Sequence, residues 1–177
     1  MITDEDLEIL DVVDAHDVVV GAMERGEIHR KRMFHRSVHV FLLDEAGRIY
    51  LQKRSFEKLE HPGKWDSSAS GHVESGESYQ EAAGRELEEE IGVKASPEPV
   101  LSVRASEQTG MEHSMLFHVR RSATDPEPNP NPREILEGRF FGTREIEEGI
   151  ATEPETFSPS FMLLYRLYRE RAGEGNG

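Results

Sequence analysis

The apolar positions of the chain follow two periods. Residues 9–21 (ILDVVDAHDVVVG) are rich in β-branched side chains broken by polar ones, which predicts two short strands around a turn at Asp14–Asp17. Residues 39–54 (HVFLLDEAGRIYLQKR) run apolar, turn at DEAG, and run apolar again to Lys53 and Arg54, the pattern of a hairpin. HPGKW at 61–65 predicts a turn. Ser78 and Glu81 stand three apart, as in a capping box, and start a helix that ends before Gly92. Residues 98–106 and 113–121 read as strands, and the Pro-rich stretch 124–132 as a loop. Residues 158–172 place Phe161, Leu163, Leu164 and Leu167 among Arg and Tyr, as a closing amphipathic helix does. Strands before and after a central helix predict α/β layers with a mixed sheet.

Length and charge narrow the picture. The 177 residues suit one domain over 1–172, with GEGNG at 173–177 as a disordered tail. Asp+Glu number 35 against 21 Lys+Arg, a formal net charge of −14. Such a chain repels nucleic-acid backbones and anionic lipid, so neither is an expected partner. A small phosphate ligand stays compatible, because a bound cation inverts the local field. The absence of cysteine excludes disulfides, thiolate metal sites and a cysteine nucleophile. No segment reaches the roughly 18 apolar residues that span a membrane, and the acidic start MITDEDLEIL does not read as a secretory leader. A cytoplasmic location is expected.

Glu86, Glu89 and Glu90 lie at i, i+3 and i+4 of the predicted helix and share one face. Like charges there repel, and in the C-terminal half of a helix the macrodipole opposes them too. A solvated acidic face is one reading of the triplet. A hard divalent cation such as Mg²⁺, which prefers carboxylate oxygens, is the other.

The wider pattern decides between them. Gly71, Glu77, Arg85-Glu86-Leu87, Glu89-Glu90 and Gly92-Val93 match the Nudix box at every position, so residues 71–93 resemble a complete box. The resemblance implies a loop–helix–loop on an α/β/α sandwich with a mixed sheet. It implies Mg²⁺ or Mn²⁺ held by Glu86, Glu89 and Glu90, with the Gly71 carbonyl as a further ligand. Glu77 and Arg85 are expected to pair and fix the loop against the helix, and Gly92 to stop the helix in the left-handed conformation. Such metals neutralise a diphosphate and activate water for in-line attack. Glu89 and Glu90 are the first candidates for the general base. Glu112 and Glu107 are the candidates outside the box.

Beyond the box, the stretch from DVVDAHD to LQKRS and the later ATEPETFSPSF are similar to type I isopentenyl-diphosphate isomerases and their hydrolase relatives, over roughly residues 8–165. That resemblance implies a second metal site at His29, His35, His72 and Glu112. The His29–His35 spacing is one residue short, Ser114 stands where the isomerase has a second glutamate, and Ser70 stands where it has its catalytic cysteine. Read alone, His29 and His35 also suit exposed loops, and His72 the end of a strand. Arg54 and Lys58, with Arg25 as a third, match residues that hold the diphosphate, a role suited to charge-assisted hydrogen bonds. Trp65 and Phe161 suit either stacking on a substrate or the core.

The expected activity is therefore metal-dependent hydrolysis of a nucleoside diphosphate derivative or another small organic diphosphate, by a chain whose relatives are often homodimers. The alternatives are an isomerase-like enzyme and a non-catalytic binder of diphosphate ligands.

Overall fold

The computed structural model describes residues 5–174. An antiparallel ribbon of β1 (Ile9–Val13) and β2 (Val19–Glu24) comes first. Asp14 makes its turn: Oδ1 accepts from the amides of His16 at 2.8 Å and Val18 at 3.0 Å. The short α1 (Arg25–Lys31) follows and ends on Arg32 in the left-handed conformation. With Ile28 as its one buried residue, it carries too little apolar periodicity to be legible beforehand.

The main sheet has seven strands: β3 (His35–Leu43), β4 (Ile49–Arg54), β5 (Trp65–Asp66), β6 (Ala69–His72), β7 (Glu98–Val103), β8 (Glu112–Arg120) and β9 (Ile135–Phe141). β3 runs parallel to β8 and antiparallel to β6, and β4 pairs antiparallel with β5 and β9, so the sheet is mixed as expected. The predicted hairpin forms around Asp44, whose Oδ1 accepts from the amides of Ala46 and Arg48. Yet β3 and β4 register only at Leu43 opposite Ile49. Beyond that point β6 takes the edge of β3, along Ser37–Val40. β3 also begins four residues before the apolar run, at His35.

Three helices cover the sheet: α2 (Tyr79–Ile91), α3 (Thr143–Thr152) and α4 (Pro159–Glu174). Val38, Val40 and Leu42 of β3 pack with Ala82, Ala83, Leu87 and Ile91 of α2. Phe41 and Leu43 point the other way, into a cluster with Ile146 of α3 and Phe161 and Leu164 of α4. Each fully buried side chain of this size stabilises by about 1.5–3 kcal/mol. Phe161 is wholly buried there, and Trp65 packs edge-on against Phe141 with ring centroids 4.8 Å apart, so both aromatics belong to the core. α3 and β9 were not legible in the pattern: β9 (ILEGRFF) is half-exposed and interrupted by Gly138. Gly173 and Glu174 complete α4, where a disordered tail was expected, and residues 175–177 of that expected tail lie outside the described residues.

α2 follows its sequence closely. Ser78 Oγ accepts from the amide of Glu81 at 3.2 Å, and the Glu81 carboxylate accepts from the Ser78 amide at 2.9 Å. Gly92 ends the helix at φ 69°, where an L side chain costs roughly 1–2 kcal/mol. Gly84 lies mid-helix with open space where a Cβ would stand. The two glycines should therefore respond oppositely in urea denaturation: Gly84→Ala raises stability by about 0.5–1 kcal/mol, and Gly92→Ala lowers it by about 1 kcal/mol or more. Equal shifts of the same sign would contradict the left-handed stop.

Candidate active site

The box carboxylates sit where α2 meets β6. An ideal Cβ on Gly71 would lie 2.0 Å from Glu86 Oε1, so only glycine lets this carboxylate rest against the strand. Glu86 accepts from Arg85 Nη1 at 2.7 Å. Glu90 is 4% exposed and accepts from Gln52 Nε2 at 2.6 Å and the Ser70 amide at 2.9 Å. Glu89 is mostly exposed, with Arg85 Nη1 at 3.2 Å. Arg85 holds Glu77 through two bonds of 2.9 Å and reaches the His72 carbonyl at 3.0 Å, so it ties loop, strand and helix together. Burial, reinforced by Glu90, pushes Glu86 up to about 8. Burial pushes Glu90 up to about 7 against the pull of the Ser70 amide, Arg54 and Lys58. A half-buried and a buried carboxylate that ionise reluctantly are the electrostatic complement of a divalent cation.

The second group converges from α1, β3, β6 and β8. His29 Nε2 and His35 Nε2 are 3.2 Å apart, His72 Nε2 lies 3.2 Å from Glu112 Oε1, and His35 Nε2 lies 3.6 Å from it. The four ligand atoms all fall within 4.8 Å of one another. His35 opposes Glu112 in the β3–β8 register, which explains their meeting. The short His29–His35 spacing is absorbed by the left-handed turn at Arg32. His35 Nδ1 bonds the Met33 carbonyl at 3.0 Å, so it carries the proton and leaves the Nε2 lone pair facing the cluster. Burial lowers His29 to about 4 and lowers His72 as well, which keeps both neutral near pH 7. Burial opposes ionisation of Glu112, but the histidine cluster around it, with His72 Nε2 in hydrogen-bond contact, outweighs burial and holds the carboxyl well below its usual range. Neutral imidazoles around an ionised carboxylate form a donor set suited to a divalent cation. His29 is half-buried and His35 buried, so neither is the exposed loop residue that its sequence context also allowed. Ser114 is locked on Ser37, with Oγ atoms 2.9 Å apart.

Both groups open on one cavity of about 930 Å³, which Arg25, Arg54 and Lys58 also line. Each cation has an acidic neighbour. Arg54 Nη1 lies 3.5 Å from Asp66, Lys58 pairs with Glu134, and Arg25 Nη1 lies 3.7 Å from Glu8. Glu107 also lines the cavity but is bound to Arg32 at 2.6 Å, both largely exposed, so it belongs to the rim. Sequence reasoning missed Gln52, Asp66 and His39. For His39 the available signal was alternation: His35, Ser37 and His39 put polar groups on every second position, with Val38 and Val40 flanking His39.

A NUDIX domain model matches residues 33–161. An isopentenyl-diphosphate Delta-isomerase of Nocardia farcinica is 34% identical over 172 residues, covering 93% of this chain and 98% of the relative. SCO1686 of Streptomyces coelicolor, named as an uncharacterized Nudix hydrolase, is 33% identical over 172 residues, covering 96% and 94%. The crystal structure of DR0079 from Deinococcus radiodurans superposes with a TM-score of 0.77 at 30% identity, covering 92% of this chain and 98% of that one. With an intact box, the mixed sheet that carries it and relatives along nearly its whole length, the chain belongs to the Nudix family.

Proposed function

We propose that the protein hydrolyses a phosphoanhydride bond of a nucleoside diphosphate derivative or another small organic diphosphate, with Mg²⁺ or Mn²⁺ as cofactor. The observation that carries this reading is the half-buried Glu86 against Gly71 and the buried Glu90 on the Ser70 amide, one helical turn apart, with Glu89 at the cavity mouth. Nothing in the packing of α2 requires buried carboxylates, and a core side chain would be more stable there. Glu86, Glu89 and Glu90, with the Gly71 carbonyl, would hold the cation, which supplies charge neutralisation and an acidified water. Arg85 orients Glu86 and Glu89, and Gln52 and the Ser70 amide orient Glu90. Arg54, Lys58 and Arg25 line the same cavity and would meet the substrate's phosphate oxygens. Glu89, Glu90 and Glu112 are the residues placed to accept a proton from the attacking water.

A second reading is favoured by one specific observation. The His29, His35, His72 and Glu112 group suits a divalent cation, and several relatives are named isopentenyl-diphosphate isomerases. Isomerisation adds a proton on one face of a double bond and removes one from the other, so it needs two acid–base groups flanking a hydrocarbon. Ser70 is a far weaker acid than a thiol, and Ser114 is held by Ser37. The cavity lining is mostly polar, with Leu59 and Pro159 as its apolar side chains, a limited match for a prenyl tail. Hydrolysis is therefore the better-supported reading.

Three outcomes are expected. In a screen of nucleoside diphosphates, dinucleoside polyphosphates and nucleotide sugars, hydrolysis stops in excess EDTA and returns with Mg²⁺ or Mn²⁺. Glu90→Gln lowers kcat at least about 10²-fold with folding intact. Full activity in EDTA would rule out the mechanism.

The second outcome concerns pH. Unfolded glutamates shed their protons near 4.5, whereas folded Glu86 and Glu90 keep theirs to about 8 and about 7. Between pH 6.5 and 8.5 the folded chain therefore binds more protons, and its stability falls as pH rises. The lowered histidines His29, His39 and His72 act oppositely, an effect that fades as pH rises past about 6.5, the ordinary histidine value, and is spent in the alkaline half of the window. In EDTA the Tm should drop across this window, and Mg²⁺ should raise it most at the alkaline end. A Tm that climbs with pH in EDTA would refute the coupling.

The third concerns isopentenyl diphosphate. With metal present, NMR should show no dimethylallyl diphosphate, and its appearance at catalytic rates would favour the isomerase reading.

A further inference from the structure

His39 is 5% exposed, faces the cavity and belongs to neither group of metal-type ligands. It lies four residues along β3 from His35, about 13 Å away at strand rise, too far to join that cluster. Across the sheet it opposes Ser70 on β6 and Leu116 on β8. Its Nδ1 is 2.9 Å from Ser67 Oγ. The Ser67 amide donates to Asp66 Oδ1 at 2.7 Å, and Asp66 lies 3.5 Å from Arg54 Nη1, so the ring is braced from β5. Among the described residues Nε2 has no hydrogen-bond partner. The nitrogen left over therefore faces the cavity, where water or a ligand completes its hydrogen bonding.

We propose that His39 is a substrate-contacting residue, with Nε2–H donating a hydrogen bond to a phosphate oxygen of the bound diphosphate; this rests on the reading of the cavity as a diphosphate site. The bonding fits that role. When Ser67 Oγ–H donates to Nδ1, the ring proton lies on Nε2, and an anionic ligand that offers only acceptors selects this tautomer. Burial, over the opposing pull of Asp66 and Glu112 and with Arg54 adding to it, lowers the proton affinity of the imidazole and favours its neutral form. A neutral donor next to Arg54 adds a bond to phosphate without adding a repelling charge. Asp66 lies 4.0 Å from Nδ1, on the side away from the free nitrogen, and so does not compete for it.

The test uses the full chain labelled with ¹⁵N-histidine, Mg²⁺ and the non-hydrolysable probe imidodiphosphate. The wild type should bind, and the His39 signals should show an unprotonated Nδ1 and a protonated Nε2 that shifts as the probe saturates. His39→Asn keeps a polar atom near Ser67 but loses the one facing the cavity, and should weaken binding about tenfold or more. His39→Gln restores a donor near the Nε2 position and should come within about threefold of wild type. A His39 signal that stays still while the wild type binds overturns the proposal without any variant, and so does a folded His39→Asn that binds as tightly as wild type. A wild type that does not bind at all overturns this proposal together with the diphosphate reading beneath it.

Discussion

The missing side chain at Gly71 is the constraint on which the site depends. It lets the Glu86 carboxylate lie against the backbone of β6, where any Cβ would collide with it. Helix α2 is thereby held at a distance that also brings Glu90 to the Ser70 amide. Arg85 spans the remaining gap, with Glu77 on the loop, Glu86 and Glu89 on the helix and the His72 carbonyl on the strand. The result is a cluster of carboxylates with Arg85 in direct contact and Arg54 and Lys58 nearby, each of those two already facing a carboxylate of its own. Burial raises the proton affinity of Glu86 and Glu90, with repulsion from Glu90 adding to it at Glu86, and a cation beside them relieves both.

β3 divides the molecule into scaffold and site. On one face Val38, Val40 and Leu42 meet α2. On the other, Phe41 and Leu43 meet α3 and α4, while Ser37 and His39 lie beyond the cover of those helices and line the cavity. One strand thus anchors both hydrophobic clusters and presents the chemistry. The early departure of β4 from β3 completes the arrangement. It admits β6, which carries Ser70, Gly71 and His72, and places Gln52, Arg54 and Asp66 on the far side of the opening. Polar groups survive at this depth because they bond one another, as Ser37 does with Ser114 and Gln52 with Glu90.

The cations show why charge alone is a poor guide to a binding site. Arg54, Lys58 and Arg25 each have a carboxylate neighbour on another element. That pairing holds the side chains in place at the cavity wall in a chain of net charge −14. A phosphate ligand must compete with those carboxylates, and a cation at the glutamate cluster shifts the balance toward it.

Features that depend on neighbours along the chain were legible in the sequence. The capping box at Ser78, the stop at Gly92 and the co-facial glutamates follow from the helical period, and the Asp14 and Asp44 turns from local side-chain bonding. The match of Gly71 to Gly92 with the Nudix box carried the family and the mixed α/β fold, and the Glu77–Arg85 pair was implied by it. Features that depend on residues far apart in sequence were not. α1 and β9 carry weak apolar periodicity and take their structure from packing and pairing. The grouping of His29, His35, His72 and Glu112 was implied by the resemblance to the isomerases, but the contact itself rests on a parallel register between β3 and β8 and a left-handed turn at Arg32, and spacing along the chain encodes neither. The carboxylate partners of Arg25, Arg54 and Lys58, the core positions of Trp65 and Phe161, and the cavity-facing nitrogen of His39 were likewise decided by tertiary structure. Hydrogen bonds, burial and ion pairs depend on distance in space, which the chain acquires only when the sheet closes around it.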